Sequence, residues 1–556
     1  MQFWAMKKKF FSIIVTLIFA VAAYAQDYVI EIPLDKAGDI SRISRAVSID
    51  AIRNGKITAY ANESELLALR KLLSDNAFRV QKPSISKSAD FIDMATDIAT
   101  MQDWAHYPTY ETYVAMMQDF ANRFPDLATL VDIGTSAKGR SLLALRITAE
   151  GDTLTRPRVF LTSTMHGDET CGFILSLRLI DYLLTNYGIH PTATRIINNI
   201  VLYINPLANP DGTYHGGNHT VAVAQRYNGN NVDLNRNFPQ LALLAKSTQN
   251  LEPETVAMMN FAKSRRFALS ANFHGGDEVL NYPWDSFYEN EMRLADKDWF
   301  VQICQNYIDT LRTFAPSGMK SVNEQGYVFG SKWYKVAGGR QDWMLFSERC
   351  REVTIELSNI KILRCDLLEN YWQRNRDALL LYICNALQGI NGQVVDANGL
   401  PIKARIYLDG HDVNYSSVVC DAEGVFTRPT LANKTYEVCA VADGYITECQ
   451  VVNTKENELV AANFTLTEGV SEYTATSEQS AMKKPMVSLA DGAIKIESDR
   501  TINSVIISDI LGRTITSHAP QTNTFVCPTY NLKEGTYVIN IHSGGIKTSS
   551  KITITK

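Results

Sequence analysis

Three residues in this sequence are of the types that bind zinc, and their positions suggest a single site. His166 and Glu169 follow the apolar residues 158–164, which are predicted to form a buried strand that runs into a helix beginning near Glu169. His274 follows a second apolar stretch, residues 267–273. Catalytic zinc is usually held by three side chains of this kind with a fourth position left open. Because strand ends meet at one edge of an α/β sheet, we expect the three side chains to converge there.

The spacing of His166 and Glu169 is weak evidence by itself, since a lone histidine near a strand end is more often structural. Other residues strengthen the prediction. Glu356 lies in the apolar strand predicted at 352–357, where a carboxylate is costly unless it has a partner or a task. Arg236 lies beside the amide of Asn235, and a guanidinium with a fixed fork suits the recognition of a carboxylate.

Six short segments occur in a fixed order between residues 107 and 387. They are HGDE (166–169), NPDG (209–212), RYNGNNVDLNRNFP (226–239), NFHGGDEVLNYPWD (272–285), WYKVAGGRQDW (333–343) and TIELS (354–358). With these segments the sequence resembles the zinc metallocarboxypeptidases of funnelin fold, and within them the regulatory branch that includes carboxypeptidases N, E and D. Six motifs in family order are far more specific than any one of them.

The resemblance implies a catalytic role for five positions. His166, Glu169 and His274 would bind one zinc ion, which lowers the pKa of water and polarises a carbonyl. Glu356 would be the general base that takes a proton from the attacking water and passes one to the leaving amine. Arg226 would polarise the scissile carbonyl and stabilise the oxyanion.

The resemblance also implies how the end of the substrate is recognised. Asn235 and Arg236 would bind the free C-terminal carboxylate, and Tyr334 would close over the terminal residue. Asp285 and Gln341 would line the pocket for the terminal side chain, because the branch specific for Lys and Arg carries acid and amide groups at these positions. A carboxylate in the pocket would pair with an ammonium or guanidinium.

Several of these residues also have structural explanations. Arg226 could be a solvated charge in a loop, Tyr334 could be a core aromatic residue, and Asp285 could cap a turn. The pocket could be reshaped by other polar residues in the same segments: Asp277, Glu278 and Arg340.

The segments lie on a pattern of strands that alternate with amphipathic helices. Helical spacing is seen at 110–124, and apolar strands are predicted at 142–147 and 200–204. This alternation predicts one α/β domain with a mixed sheet, assigned to residues 86–387.

The domain is preceded by a small α/β unit and, before that, an export signal. Residues 26–85 contain predicted strands at 28–33 and 57–61 and a helix at 63–73 capped by Asn62, and the unit is a possible pro-segment. Residues 84–88 are polar and typical of a linker. Residues 1–25 have a basic stretch, an apolar run and small residues before Gln26, which indicates a cleaved signal peptide, the alternative being a membrane anchor.

Two small all-β sandwich domains are predicted after the α/β domain. Residues 388–468 consist of short strands broken by turns and resemble the transthyretin-like domain of the same regulatory branch. Residues 469–485 are polar and predicted to be a flexible linker. Residues 486–556 resemble the C-terminal sorting domain of the type IX secretion system of Bacteroidota, through the segments at 509–513 and 532–537 and the final residues. That resemblance implies contact with secretion machinery and a secreted or surface location, the alternative being an accessory β domain.

The composition sets broad limits on function. A length of 556 residues suggests three or four domains, and a net charge of -5 argues against nucleic acid as the main partner. The nine cysteines are too sparse for a disulfide framework and predict at most one or two bridges.

The sequence therefore predicts an exported, zinc-dependent metallocarboxypeptidase that releases single C-terminal residues, Lys or Arg, from peptides and proteins. Two alternatives keep the same fold. One is a carboxypeptidase acting on cell-wall peptides, and the other is a non-catalytic peptide-binding homologue.

Overall fold

The computed structural model describes residues 28–82, 90–241, 250–469 and 485–554, apart from 491, 511, 531, 544 and 545. The predicted signal peptide, the polar residues 84–88 and most of the linker at 469–485 lie outside the described residues. Within the ranges described, no helix has both the length and the apolar character needed to cross a lipid bilayer.

The N-terminal unit is an antiparallel four-stranded sheet packed against short helices. Its strands lie in the order Ser48–Arg53, Lys56–Ala61, Tyr28–Pro33 and Arg79–Gln81. Its helices are Leu34–Ala37, Ile40–Ile43 and Glu63–Arg70. Asn62 caps the last helix by accepting the Glu65 N–H at 3.0 Å, as predicted, although the helix ends three residues earlier than expected.

The central domain is built on an eight-stranded mixed sheet, which confirms the predicted fold class. The strands, in sheet order, are Tyr327–Phe329, Glu278–Tyr282, Arg351–Leu357, Leu269–His274, Arg158–Ser163, Val201–Asn205, Ser141–Ile147 and Ala128–Thr135. The four strands in the middle of the sheet, from Arg351–Leu357 to Val201–Asn205, are parallel. They are apolar almost throughout because helices cover both faces of a parallel sheet.

The helices of the central domain supply the rest of its core. They are Tyr110–Arg123, Cys171–Thr185, Pro191–Asn199, Pro210–Thr213, Pro253–Arg265, Lys297–Phe314, Gly330–Trp333, Arg340–Phe346 and Leu368–Cys384. The helix predicted at 110–124 is present and ends one residue earlier. The helix predicted to begin near Glu169 begins at Cys171.

The first β domain is a sandwich of two four-stranded sheets, as predicted. One sheet contains Val425–Pro429, Gly389–Asp396, Leu459–Ala461 and Phe464–Leu466, and the other contains Val418–Val419, Arg405–Leu408, Thr435–Val441 and Glu448–Asn453. Ion pairs join the sandwich to the central domain. Asp296 of the central domain lies 2.8 Å from Arg428 of the sandwich, and Arg158 of the central domain lies 2.7 Å from Asp421 of the sandwich.

The last domain is all β, and its long strand Ala493–Asp509 is shared by two groups of strands. Its other strands are Met486–Ala490, Thr514–His518, Thr522–Pro528, Gly535–Ser543 and Ile546–Ile554. The first half of the long strand pairs with Met486–Ala490 and Thr522–Pro528, and the second half pairs with Thr514–His518 and Gly535–Ser543.

The described cysteines form one disulfide, within the predicted limit of one or two. Cys439 and Cys449 lie opposite each other on neighbouring strands of the sandwich and are bonded. The other seven are free and buried, in keeping with small apolar core residues.

Candidate metal centre

The three predicted ligand residues meet at the carboxyl edge of two adjacent parallel strands. His274 is the last residue of Leu269–His274, and this strand pairs in parallel with Arg158–Ser163. His166 and Glu169 lie in the connection between Arg158–Ser163 and the helix that follows it. The sheet topology therefore brings together side chains that are more than 100 residues apart in sequence.

The turn that carries His166 and Glu169 needs a glycine. A Cβ atom on Gly167 would lie 2.3 Å from the carbonyl carbon of Gly212 and 2.4 Å from the backbone nitrogen of Thr213. Asn209 holds this second turn in place, because its side chain accepts the Gly212 N–H at 2.9 Å and donates to the Met165 carbonyl at 3.1 Å. The NPDG segment is thus a support for the HGDE turn.

The ligand atoms of the three residues surround one point. His166 Nδ1 lies 2.9 Å from Glu169 Oε1, and His274 Nδ1 lies 2.8 Å from Glu169 Oε2. The two Nδ1 atoms face each other at 3.1 Å. Each of the three residues is at most 3% exposed.

This donor set fits a zinc ion. Two imidazole nitrogens and a carboxylate are the ligands that zinc prefers, and all three donor atoms lie within 4.8 Å of one another. Burial lowers the pKa of His274 to about 4, so its imidazole is neutral at physiological pH, as a ligand must be. Two nitrogens that face each other beside a carboxylate are best satisfied by a shared cation.

The opposite side of each imidazole ring also has a partner. His166 Nε2 lies 3.1 Å from Asp233 Oδ1, and His274 Nε2 lies 2.7 Å from Asn272 Nδ2. A carboxylate behind a ligating histidine fixes the ring and increases its basicity. Sequence reasoning placed Asp233 in a motif but did not give it this role.

Glu356 lies directly beside the ligand cluster. It is opposite His274 in the register of the parallel strands Leu269–His274 and Arg351–Leu357. Among the described residues, no group forms a hydrogen bond with its buried Oε2 atom. Burial and the neighbouring charge of Glu169 raise the pKa of Glu356 well above its usual value. A carboxylate in this environment is suited to accept a proton.

Arg226 is buried against the cluster and is not a solvated loop charge. Its Nε atom donates to Asp233 Oδ2 at 3.0 Å, and its Nη1 atom lies 3.5 Å from Glu169 Oε1. The residue is 4% exposed. The guanidinium is therefore held next to the metal ligands by two carboxylates.

The segments containing Arg236 and Tyr334 are packed closely together. Gly338 has a φ of +75°, and a Cβ atom on it would lie 2.4 Å from the Arg236 carbonyl oxygen. Asn235 Oδ1 accepts the Arg340 N–H at 3.0 Å. These contacts place the predicted carboxylate-binding residues beside the WYKVAGGRQDW segment.

Asp285 and Gln341 lie together in a buried polar pocket. Asp285 Oδ1 accepts hydrogen bonds from Asn281 Nδ2 at 3.0 Å and from Gln341 Nε2 at 3.1 Å. A Cβ atom on Gly330 would lie 2.0 Å from Asp285 Oδ1, so only a glycine allows the carboxylate to pack this closely against the backbone. Burial and the adjacent Asp342 carboxylate raise the pKa of Asp285 well above its usual value.

The turn at Asp285 is capped by Asp342 and not by the Asp285 carboxylate. Asp342 Oδ1 accepts the Asp285 N–H and Asp342 Oδ2 accepts the Ser286 N–H, both at 2.8 Å. The Asp285 carboxylate points instead at the amides of the pocket.

The N-terminal unit lies over the metal centre, which sequence reasoning did not predict. Ser48 Oγ donates to Asp233 Oδ2 at 2.6 Å, and Asp50 Oδ1 lies 2.7 Å from Lys361 Nζ. The Tyr334 hydroxyl donates to the Ile49 carbonyl at 3.3 Å. The strand Ser48–Arg53 thus contacts the residues around the cluster.

Lys361 and Asp50 were not identified from the sequence. Lys361 follows the TIELS segment by three residues, its side chain is 13% exposed, and its Nζ atom lies 3.2 Å from Glu169 Oε1. Asp50 lies 3.9 Å from Arg226 Nη1. No local pattern marks Asp50, because its position depends on how one folded unit docks on another.

Comparison with known families gives two matches. The family described as zinc carboxypeptidase matches residues 113–378, and the secretion system C-terminal sorting domain matches residues 490–555.

Curated relatives align with about two thirds of the chain. The chain is 34% identical over 377 residues to human carboxypeptidase D, an alignment that covers 65% of this chain and 26% of that protein. It is 30% identical over 426 residues to carboxypeptidase E of Caenorhabditis elegans, covering 68% of this chain and 90% of the relative. The chain therefore spans about a quarter of the length of carboxypeptidase D but nearly all of this carboxypeptidase E.

Solved structures share the fold at lower identity. The crystal structure of carboxypeptidase A from Helicoverpa armigera aligns with a TM-score of 0.51 at 18% identity, covering 65% of this chain and 97% of that one. Thrombin-activatable fibrinolysis inhibitor aligns with a TM-score of 0.50 at 15% identity, covering 64% and 98%.

Proposed function

The chain belongs to the zinc carboxypeptidase family, and we propose that it is a zinc-dependent enzyme that releases single C-terminal residues from peptides and proteins. The observation that carries the proposal is the convergence of His166, Glu169 and His274, with Glu356 directly opposite His274. A three-ligand site beside a carboxylate of raised pKa is what metal-assisted hydrolysis requires.

The three ligands would hold one zinc ion, and Glu356 would act as the general base. Zinc, when bound, supplies Lewis acidity, which lowers the pKa of water and polarises a carbonyl oxygen. Glu356 takes a proton from the attacking water and transfers a proton to the amine that leaves. Arg226 donates to the oxygen on which negative charge develops, and its fixed position avoids reorganisation during the reaction.

Residues on the other side of the cluster select the end of a peptide chain. Asn235 and Arg236 bind the terminal carboxylate, and Tyr334 closes over the terminal residue. Internal residues of a substrate have no carboxylate to offer, so this recognition restricts the enzyme to the last peptide bond. Asp285, between Asn281 and Gln341, pairs with the charge of a terminal Lys or Arg side chain.

The first test of this function compares peptide hydrolysis before and after removal of the metal. We expect hydrolysis of a blocked dipeptide ending in Arg to fall at least about 100-fold on treatment with a zinc chelator and to return with added zinc, because the Lewis acid is essential. The measurement is the release of free arginine, with metal content determined in parallel.

Three other results would point elsewhere. Turnover that is insensitive to the chelator would contradict the mechanism. Hydrolysis of murein peptides alone would favour the cell-wall alternative. Binding of peptides without hydrolysis by the zinc-loaded protein would favour a non-catalytic homologue.

The N-terminal unit is inferred to be a pro-segment that restricts access to the site. Ser48 and Asp50 contact Asp233 and Lys361, and a substrate would have to displace them. Tyr334, the residue assigned to close over the substrate, donates to Ile49 of this unit. The catalytic groups are thereby engaged with the unit in the full-length chain.

Release of the N-terminal unit is expected to increase activity. Cleavage between residues 82 and 90 should raise kcat/KM on an Arg-ending dipeptide about tenfold or more, because only the undocked fraction of the full-length chain can bind substrate. The measurement compares the chain before and after limited trypsin treatment, with the cleavage site identified by mass spectrometry.

A substitution provides an independent check on the pro-segment. Asp50→Ala in the uncleaved chain should raise kcat/KM part of the way to the value of the cleaved chain. Asp75→Ala, at an exposed position of the same unit, should leave kcat/KM unchanged. Equal activity of cleaved and uncleaved chains would show that the unit does not block the site.

We propose that the C-terminal domain directs export of the enzyme. The match to a secretion system sorting domain over residues 490–555 supports a role in carrying the enzyme across the outer membrane by contact with secretion machinery. The enzyme would then act at the cell surface or outside the cell.

A further inference from the structure

A cavity of about 830 Å³ lies between the central domain and the sandwich. The central domain contributes Arg158 and Val201, the first residues of two neighbouring parallel strands, and the end of the helix Pro253–Arg265. The sandwich contributes Lys403 and residues 420–423. A volume of this size is typical of sites that bind small organic molecules.

The cavity is at the opposite edge of the sheet from the metal centre. Arg158 begins the strand Arg158–Ser163, whereas the metal ligands His166 and Glu169 follow the end of that strand. Six residues at about 3.3 Å per residue place roughly 16 Å between the two edges. The cavity is therefore separate from the proposed peptidase site.

Basic side chains predominate on the walls of the cavity. The six basic lining residues are Arg146, Arg158, Lys263, Arg265, Arg266 and Lys403, and the three acidic ones are Asp152, Asp421 and Glu423. The lining thus has a formal charge of +3, although the whole chain has a net charge of -5. A cleft lined mainly by charges of one sign attracts and concentrates ions of the opposite sign.

Two of the six cations have a counter-charge in the protein. Arg158 lies 2.7 Å from Asp421, and Arg266 lies 3.6 Å from Glu348. For the other four, no carboxylate of the described residues lies within 4 Å of the charged group. The buried Nε atom of Arg265 also forms no hydrogen bond with any described residue.

The position of a helix end explains only part of this charge. Lys263 and Arg265 are in the last turn of the helix Pro253–Arg265, where the helix dipole favours basic side chains. Arg146 comes from a strand and Lys403 from the other domain, so the dipole does not account for them. Cations without a counter-charge therefore converge from three separate elements, which indicates a site for an anion.

Part of the cavity wall is apolar and rigid. Val201 and Tyr203 line the cavity and are at most 5% exposed. The Tyr203 ring packs against Phe261 and Phe267, with 5.3 and 5.6 Å between ring centroids. A wall of this kind lowers the local dielectric and strengthens the attraction between an anion and the neighbouring cations.

We propose that this cavity binds a small organic molecule that carries two phosphate groups, such as a sugar bisphosphate. Two phosphate groups carry a charge of about -3 to -4 at neutral pH, which matches four unpaired cations. Guanidinium groups bind phosphate oxygens in pairs, and lysines bind them as point charges. Because both domains contribute cations, the bound molecule also links the sandwich to the central domain.

The test measures binding to the full zinc-loaded chain by isothermal titration calorimetry. Fructose bisphosphate is expected to bind at least about tenfold more tightly than fructose monophosphate, because the second phosphate adds charge-assisted hydrogen bonds. Fructose itself should not bind, and the affinity for the bisphosphate should fall as the salt concentration increases. Vesicles of phosphatidylcholine, with and without phosphatidylinositol bisphosphate, test in parallel whether the same chemical group is recognised on a lipid.

Variants on each domain assign the binding to the cavity. Lys263→Gln and Lys403→Gln should each weaken the binding of fructose bisphosphate by about tenfold, and both side chains are exposed, so the fold should be kept. Lys434→Gln, an exposed change elsewhere on the sandwich, should leave the affinity unchanged. Hydrolysis of an Arg-ending dipeptide should be the same in all three variants.

Each remaining outcome decides for or against the site. Binding to the phosphoinositide vesicles that Lys263→Gln and Lys403→Gln both weaken would support the site and assign its phosphate groups to a lipid. No binding of either fructose bisphosphate or these vesicles would overturn the proposal. Binding that neither substitution weakens would also overturn it, because the anion would then be held elsewhere on the protein.

Discussion

Replacement of Glu356 by Gln is expected to lower kcat/KM by roughly 10³-fold, within the range for loss of a general base, while zinc binding is retained. The amide keeps the size of the side chain but cannot accept a proton. Glu356 is not one of the three ligands, and no described residue bonds its buried Oε2 atom, so the substitution breaks no contact there. The measurement is kcat/KM on an Arg-ending dipeptide together with zinc content.

Two variants separate loss of the base from other effects. His274→Ala should lose both zinc and activity, since it removes a ligand. Glu369→Gln, which changes an exposed glutamate in the helix Leu368–Cys384, should alter neither. A Glu356→Gln protein that contains zinc and retains full activity would contradict the assignment of the base.

The convergence of the ligand residues could be predicted because it depends on the order of the strands and their direction. His166 and Glu169 follow one buried strand and His274 ends another, and parallel neighbours place such ends at one edge. Glu356 reaches the same place through the register of the next strand. Local apolar patterning was sufficient for these elements.

The contacts that support the ligands could not be predicted in the same way. The Asp233 contact with His166 joins residues 67 positions apart through a loop, and no periodicity marks it. Gly167 and Gly338 are needed because backbones approach closely at those points, which becomes visible only when the partner segment is known.

The position of the N-terminal unit on the central domain could not be predicted from the sequence either. Its strands and its helix with the Asn62 cap follow local rules, and each was predicted. Its docking depends on scattered polar contacts such as Ser48 with Asp233 and Arg53 with Asp277. Ser48 and Arg53 are ordinary polar residues of one strand, and Asp233 and Asp277 lie in loops, so no sequence pattern marks the docked surface.

Replacement of Asp285, in the predicted pocket for the terminal side chain, is expected to have the second large effect, on substrate preference. Asp285→Asn should reduce the preference for Arg-ending over Phe-ending dipeptides by roughly 30- to 1000-fold, equivalent to about 2–4 kcal/mol for a buried charge pair that loses one partner. The carboxylate lies between Asn281 and Gln341, with Asp342 close enough to raise its pKa. A cationic side chain entering the pocket would favour the ionised form of Asp285 and pair with it.

The ratio of kcat/KM values for Arg-, Lys- and Phe-ending dipeptides is the measurement that tests this assignment. Asp298→Asn, at an exposed position at the start of the helix Lys297–Phe314, is the matched control and should leave the ratio unchanged. An equal loss for all substrates would mean that Asp285 supports the fold of the pocket. Since Asp342 already binds the backbone N–H groups of Asp285 and Ser286, the carboxylate of Asp285 is not needed for that turn, and a selective loss is the expected result.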